Sequence, residues 1–176
     1  MGVWRNRPWR FRKFNDNYKY FLTVFDVFSK YLHIFPLKSK SGTAVTSAFK
    51  SILENTKYSK PLQKHPVWVR TDKWKEFLNR HLQDMLKSKS VQLQVSRNPD
   101  VKCSIFERAK RTSRDRLYKF FTYSNTNRDN DILQKFVDTY NDTVHTTTGM
   151  APSNLLIQTY SRYGWILIYI YVVCVL

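Results

Sequence analysis

The chain has 176 residues, with 30 lysines and arginines against 13 acidic residues and a formal net charge of +17 at pH 7. Its content of 42% hydrophobic and 16% aromatic residues excludes a disordered basic tail and favours one folded domain. Two cysteines, Cys103 and Cys174, are too few for a disulfide framework or a four-ligand zinc module, which favours a reducing compartment.

The first predicted elements are a β-hairpin and a helix. Residues 18–28 and 31–37 are rich in aromatic and β-branched side chains, and only two residues separate them. This pattern predicts two antiparallel strands. Apolar residues then recur at helical spacing from Val45 to Leu53, which predicts a helix that begins near Thr43.

Strands and helices alternate through the rest of the chain. Short apolar or alternating runs predict strands over 67–69 and 91–95, and helical spacing predicts helices over 77–86, 103–121 and 132–144. The whole order is strand, strand, helix, strand, helix, strand, helix, helix. It predicts a mixed α/β architecture in which helices pack on a central sheet.

The positive charge is concentrated in the first two thirds of the chain. Residues 1–60 carry 12 lysines and arginines against 3 acids, and residues 61–120 carry 15 against 6. Residues 121–176 carry 3 against 4. Such an excess is expected where a protein faces a polyanion such as nucleic acid. The alternative is a solvated basic surface without a partner.

Three carboxylates are candidates for chemistry. Asp26 interrupts an apolar strand, Asp72 follows the short strand at 67–69, and Glu107 lies in a basic helix as one of three glutamates in the chain. Carboxylates that meet at a sheet edge hold divalent ions, which activate an attacking oxygen in nucleic-acid enzymes. The alternatives are structural: Asp26 bonds to the turn that follows it, and Glu107 pairs with Arg111 one helical turn later.

Basic and aromatic side chains surround Glu107 on its predicted helix. Several of them fall within about 100° of Glu107 around the helix axis. Others lie close to Asp72 or Glu107 in the sequence. The candidate nucleic-acid contacts are Lys73, Lys75, Lys102, Arg108, Lys110, Arg111, Arg114 and Tyr118.

Five short segments follow one another at 72–77 (DKWKEF), 97–102 (RNPDVK), 107–112 (ERAKRT), 140–145 (YNDTVH) and 149–152 (GMAP). In this order and spacing they resemble the integrase catalytic core of retrovirus-like and Polinton-type transposable elements. The resemblance implies a ribonuclease-H-like fold, two divalent metal ions (Mg²⁺ or Mn²⁺) and the joining of element ends to target DNA. Within the fourth segment, Tyr140, Asn141 and His145 equally fit helix packing and capping.

The resemblance also assigns roles to the acids. Asp72 matches the second acid and Glu107 the third acid of the family's metal-binding triad. The first acid of the family lies on a central strand that precedes the strand of Asp26, and the corresponding residues 1–12 contain no acid. This strand is therefore expected to be missing or degenerate, with Trp9–Arg12 as a candidate replacement, and Asp26 is the remaining candidate for the first acid.

The chain ends in an uninterrupted apolar run over residues 165–176. As a helix it would span only about 18 Å of a hydrocarbon core of about 30 Å, which is short for a membrane span. The resemblance ends before this run. We therefore expect a basic aromatic segment at 1–14, an integrase-like domain at 15–159, and a tail at 160–176 that lies outside the domain.

The expected function is that of a transposon-derived integrase core with DNA as its partner. Enzymatic activity is left open because the acidic triad is incomplete. The alternatives are a basic DNA-binding remnant without catalysis and a tail-anchored membrane protein. A second copy of the chain is a further candidate partner, and a membrane is not expected. The first residues mix tryptophan with arginine and form no apolar stretch, so we expect no signal peptide. The expected location is the nucleus.

Overall fold

The computed structural model describes residues 16–54, 68–71, 77–95, 111, 115–116, 119, 122–123, 129–155 and 169–175. In chain order its elements are β1 Tyr20–Asp26, β2 Leu32–Leu37, α1 Gly42–Glu54, β3 Trp68–Thr71, α2 Arg80–Ser88, β4 Gln92–Val95, α3 Asp129–Asp142 and β5 Tyr169–Val175. The first seven correspond to predicted elements. The helix expected over 103–121 lies almost wholly outside the described residues.

The strands form one sheet in the order β2-β1-β5-β3-β4. β1 and β2 are the predicted antiparallel hairpin. β3 and β4 are parallel, and the chain passes through α2 between them. β5 lies between these two pairs, antiparallel to β1 and parallel to β3. It therefore joins the two halves of the sheet.

The position of the C-terminal tail differs from the sequence prediction. We expected residues 160–176 to lie outside the domain, yet Tyr169–Val175 forms the central strand. An uncharged run rich in β-branched and aromatic residues suits a strand with neighbours on both sides. The replacement strand suggested at Trp9–Arg12 lies outside the described residues. Among the helices that the structure describes, none has the length and apolar character of a membrane span.

An apolar core joins the sheet to α1 and α2. The side chains of α1 that are buried occupy the predicted helical stripe. α3 packs against β2. Every residue of β1 from Leu22 to Asp26 is buried, as expected for a strand that is covered on both faces. The core cluster includes Leu22 and Val24 from β1, Val69 from β3, Val45, Phe49 and Ile52 from α1, and Leu82 and Leu86 from α2.

The beginnings of α1 and α2 meet at Gly42 and Asn79. The Asn79 side chain caps α2 by accepting a hydrogen bond of 2.9 Å from the backbone N–H of Leu82. A Cβ atom on Gly42 would lie 2.6 Å from Cγ of Asn79. The missing side chain at Gly42 therefore allows the close approach of the two helices.

Candidate functional site

The candidate site lies at the carboxyl end of β3, where Thr71 is followed in sequence by Asp72. Thr71 is level with Val95 of β4 and Val172 of β5 in the parallel register. Its hydroxyl is buried and has no hydrogen-bond partner among the described residues. The carboxyl edge of parallel strands is a usual place for binding sites in α/β proteins. Asp72 and Glu107 themselves lie outside the described residues, so their roles remain predictions.

The strand next to β3 supplies no carboxylate to this edge. β5 has the sequence YIYVVCV, and Val172 is its residue level with Thr71. Mg²⁺ and Mn²⁺ prefer oxygen ligands, above all carboxylates, and the sequence of β5 contains no aspartate or glutamate. The central strand therefore does not fit a site in which adjacent strands share two metal ions. Within the described ranges, no three histidine, cysteine or acidic residues are grouped as metal ligands.

The carboxylate of Asp26 is bonded to the turn that follows β1. Its Oδ1 accepts from the backbone N–H of Phe28 at 3.0 Å, and its Oδ2 accepts from the backbone N–H of Ser29 at 3.4 Å. The Ser29 hydroxyl also donates to Oδ2. Burial raises the pKa of Asp26, and these hydrogen bonds together with the nearby Lys30 offset only part of that increase. Asp26 thus has the turn role that the sequence left open.

The strand register also separates Asp26 from the carboxyl end of β3. On β5, Asp26 is level with Ile170, whereas Thr71 is level with Val172. Asp26 and Thr71 are offset by two residues along the strand direction and by two strand spacings across the sheet. Their Cα atoms therefore lie about 12 Å apart. The hydrogen bonds of the Asp26 carboxylate to its own turn favour the turn role over the role of a metal ligand beside β3.

Asn141, near the end of α3, bonds to the edge of the sheet. The backbone N–H of Leu32 donates to Oδ1 of Asn141 at 2.9 Å, and Nδ2 of Asn141 donates to the Leu32 carbonyl at 2.9 Å. The Asn141 side chain is 1% exposed. Because β2 is the edge strand of the described sheet, the amide satisfies two backbone groups that no other described strand reaches. The sequence left two interpretations of the 140–145 segment open, a family motif and helix packing or capping. These hydrogen bonds give Asn141 a packing role.

A basic cluster of Lys30, Arg116 and His145 lies beside this contact. The Arg116 guanidinium stands over the Tyr140 ring, 5.7 Å from its centroid. The pKa of His145 is lowered, mainly by burial and further by the positive charges of Lys30 and Arg116. The Lys30 ammonium donates to the Val27 carbonyl at 2.6 Å. Lys30 and Arg116 are the cations of this cluster, and paired cations of this kind suit a phosphate group.

Sequence reasoning missed the basic cluster. Lys30 follows β1, Arg116 belongs to the segment before α3, and His145 follows α3, so nothing in the linear pattern relates them. The predicted contacts around Glu107 are mostly not described. Arg111 is helical and exposed, and the other seven lie outside the described residues.

The sheet order and its flanking helices define a mixed α/β fold of the ribonuclease-H-like type. The structure is similar to the catalytic core domain of bovine immunodeficiency virus (BIV) integrase, with a TM-score of 0.63 and 14% identity over 81% of this chain and 89% of that one. It is also similar to the HTLV-2 integrase catalytic core domain in its trimeric form with magnesium. There the TM-score is 0.61, with 22% identity over 78% of this chain and 84% of that one. The predicted fold class is confirmed.

The Integrase core domain family matches residues 5–100. A Caenorhabditis elegans protein, the uncharacterized transposon-derived protein F54H12.3, is 34% identical over 143 residues, which are 81% of this chain and 48% of that protein. The chain therefore belongs to the integrase core family, as its motifs indicated. It spans about half the length of this curated relative.

Proposed function

We propose that this chain is a transposon-derived integrase core that binds DNA without joining DNA strands itself. The composition of the central strand supports this proposal. Tyr169–Val175 stands between β1 and β3 and contains no carboxylate. Residues 1–15 contain none either. The first acid that the family resemblance implies is thus absent from both segments that are candidates for this strand.

The missing acid bears on the metal ions that the resemblance implies. Asp72 and Glu107 are the remaining acids of the triad, and Asp26 is bonded to its own turn. Two acids do not complete the three-carboxylate set. Mg²⁺- or Mn²⁺-dependent joining is therefore not part of the proposed function.

DNA binding is supported by charge. The net charge of +17 favours association with a polyanion, and each phosphate contact releases counterions. Lys30 and Arg116 of the basic cluster, together with Arg111, are described cationic side chains that suit phosphates. The HTLV-2 integrase core was solved in dimeric and trimeric forms, and we extend the proposal to self-association of this chain.

The membrane-anchored alternative is not favoured for the tail strand. Tyr169–Val175 is paired along both edges within the sheet. A segment that completes a sheet is not available to a bilayer at the same time. A nuclear location follows from the proposed DNA partner.

DNA binding is tested by titrating a fluorescently labelled duplex at several salt concentrations. We expect the affinity to fall by roughly 10³-fold or more between about 50 and 200 mM salt, because several phosphates are neutralised. Arg116→Gln should weaken binding to all sequences and reduce the slope of log affinity against log salt by about 1.

Arg80→Gln is the matched control, because the Arg80 guanidinium is exposed and already lies 3.5 Å from the Asp84 carboxylate. It should change the slope less than Arg116→Gln does. Asp72→Asn should leave binding intact. An affinity that does not depend on salt, or equal effects of the two arginine substitutions, contradicts the proposed binding surface.

A further inference from the structure

The gap between β1 and β3 is bridged by the last described segment of the chain. β5 pairs with β1 from Phe21 opposite Val175 to Asp26 opposite Ile170. On its other edge it pairs with β3 along the whole of that strand. β1 and β3 are not neighbours in the sheet order. Without β5, the facing edges of both strands would lose their backbone hydrogen-bond partners.

The gap is lined by buried residues. Val24 and Phe25 of β1 and Val69 of β3 are each 1% exposed, and Leu22 is 0% exposed. Opening the gap would expose these apolar side chains together with unpaired backbone groups, and both changes are costly. The gap therefore requires an occupant, and the occupant must be an extended segment with free backbone groups on both edges.

The covalent connection does little to guide β5 into this gap. Its partners on β1 lie about 150 residues earlier in the chain, whereas β1 and β2 pair through a short turn. Closing so long a loop is entropically costly and slow compared with hairpin formation. The β1–β2 and β3–β4 pairs are thus expected to form before β5 enters between them.

We propose that the gap between β1 and β3 is a strand-acceptor site and that residues 169–175 are its ligand. The site recognises an extended, uncharged, β-branched segment through backbone pairing on both edges, a form of β-strand addition. Binding is determined by this pairing and not by covalent attachment. The same segment supplied as a separate peptide therefore occupies the site once the chain's own copy is cut free. This inference is independent of the proposed DNA binding.

The test uses the full chain with a specific protease site introduced within residues 156–168. The folded protein is cut, and a fluorescent peptide of residues 165–176 is added. We expect the labelled peptide to replace the cut tail at one peptide per chain. A Val172→Pro peptide should bind more than about 100-fold more weakly, because proline has no N–H to donate and disrupts a central strand. A Val172→Thr peptide, which stays β-branched, should bind within about tenfold of the parent.

Several outcomes decide the proposal. Equal binding of the parent and Val172→Pro peptides would indicate nonspecific apolar adhesion and would overturn it. So would a cut protein that stays folded, as judged by circular dichroism, and takes up no parent peptide. If cutting unfolds the chain, refolding with excess parent peptide should restore a cooperative unfolding transition. Failure of that rescue, or equal rescue by the Val172→Pro peptide, would also overturn the proposal.

Discussion

Replacing Asn141 with alanine is expected to lower the free energy of unfolding by about 3 kcal/mol. The substitution removes two hydrogen bonds of 2.9 Å and leaves the N–H and C=O of Leu32 without their partner on the edge of the sheet. Both groups are buried in this contact, so their loss costs more than the loss of an exposed hydrogen bond. The loss also frees the end of α3 from β2.

Urea denaturation followed by circular dichroism measures this effect. Gln134→Ala is the control on the same helix, because the exposed Gln134 amide donates to Asp138 at 2.8 Å. It should cost less than about 0.5 kcal/mol, as exposed substitutions usually do. If the two alanine variants lost equal stability, the Asn141 amide would not hold α3 to the sheet in the way described.

Replacing Asp26 with alanine is expected to cost about 2 kcal/mol, because three donors in the turn after β1 lose their acceptor. The donors are the backbone N–H groups of Phe28 and Ser29 and the Ser29 hydroxyl. Asp26→Asn keeps an oxygen acceptor and nearly the same volume, so its cost should be smaller. A metal-ligand role alone would not predict this order of stabilities.

The pH dependence gives a second test of Asp26. Burial raises the pKa of Asp26 in the folded state above its ordinary value of 3.8. The folded protein therefore holds this proton more tightly than the unfolded chain does. The stability from this group is fully present below the unfolded pKa and is lost as the pH rises through the folded pKa. Asp26→Asn should remove that decrease. His145, whose pKa is lowered, is present in both proteins. Its contribution therefore cancels when the stability of one protein is subtracted from that of the other.

Denaturation of both proteins at a series of pH values from about 4 to 7 measures the difference. The stability of Asp26→Asn relative to the parent should increase with pH across this range. A constant difference would mean that the Asp26 carboxyl has the same pKa in the folded and unfolded states, contrary to its burial in the turn.

The sequence predicted those elements that form from residues close to one another in the chain. The β1–β2 hairpin follows from two apolar runs separated by a short turn, and α1 follows from a stripe of apolar residues at helical spacing. The position of β5 was not predictable in the same way. An apolar run indicates strand propensity but does not identify partners about 150 residues earlier.

In the candidate site, too, contacts between residues far apart in the chain were not predictable from the sequence. Asp72 and Glu107 were selected first by their positions after a strand and in a basic helix, and then by family resemblance. The turn role of Asp26, one of two roles that the sequence left open, became clear only from its hydrogen bonds. The basic cluster was missed because its three residues come from separate segments. Asn141 was selected as part of a motif, but its partner, Leu32, lies more than 100 positions earlier in the chain.

The joining of a labelled donor DNA end to a target duplex shows whether this integrase core binds DNA without joining DNA strands. The reaction is run with Mg²⁺ or Mn²⁺ at protein concentrations that saturate DNA binding. The absence of a carboxylate from the central strand predicts that the parent chain forms no more joined product than Asp72→Asn or Glu107→Gln. Joined product that the parent forms and both variants lose would contradict the claim.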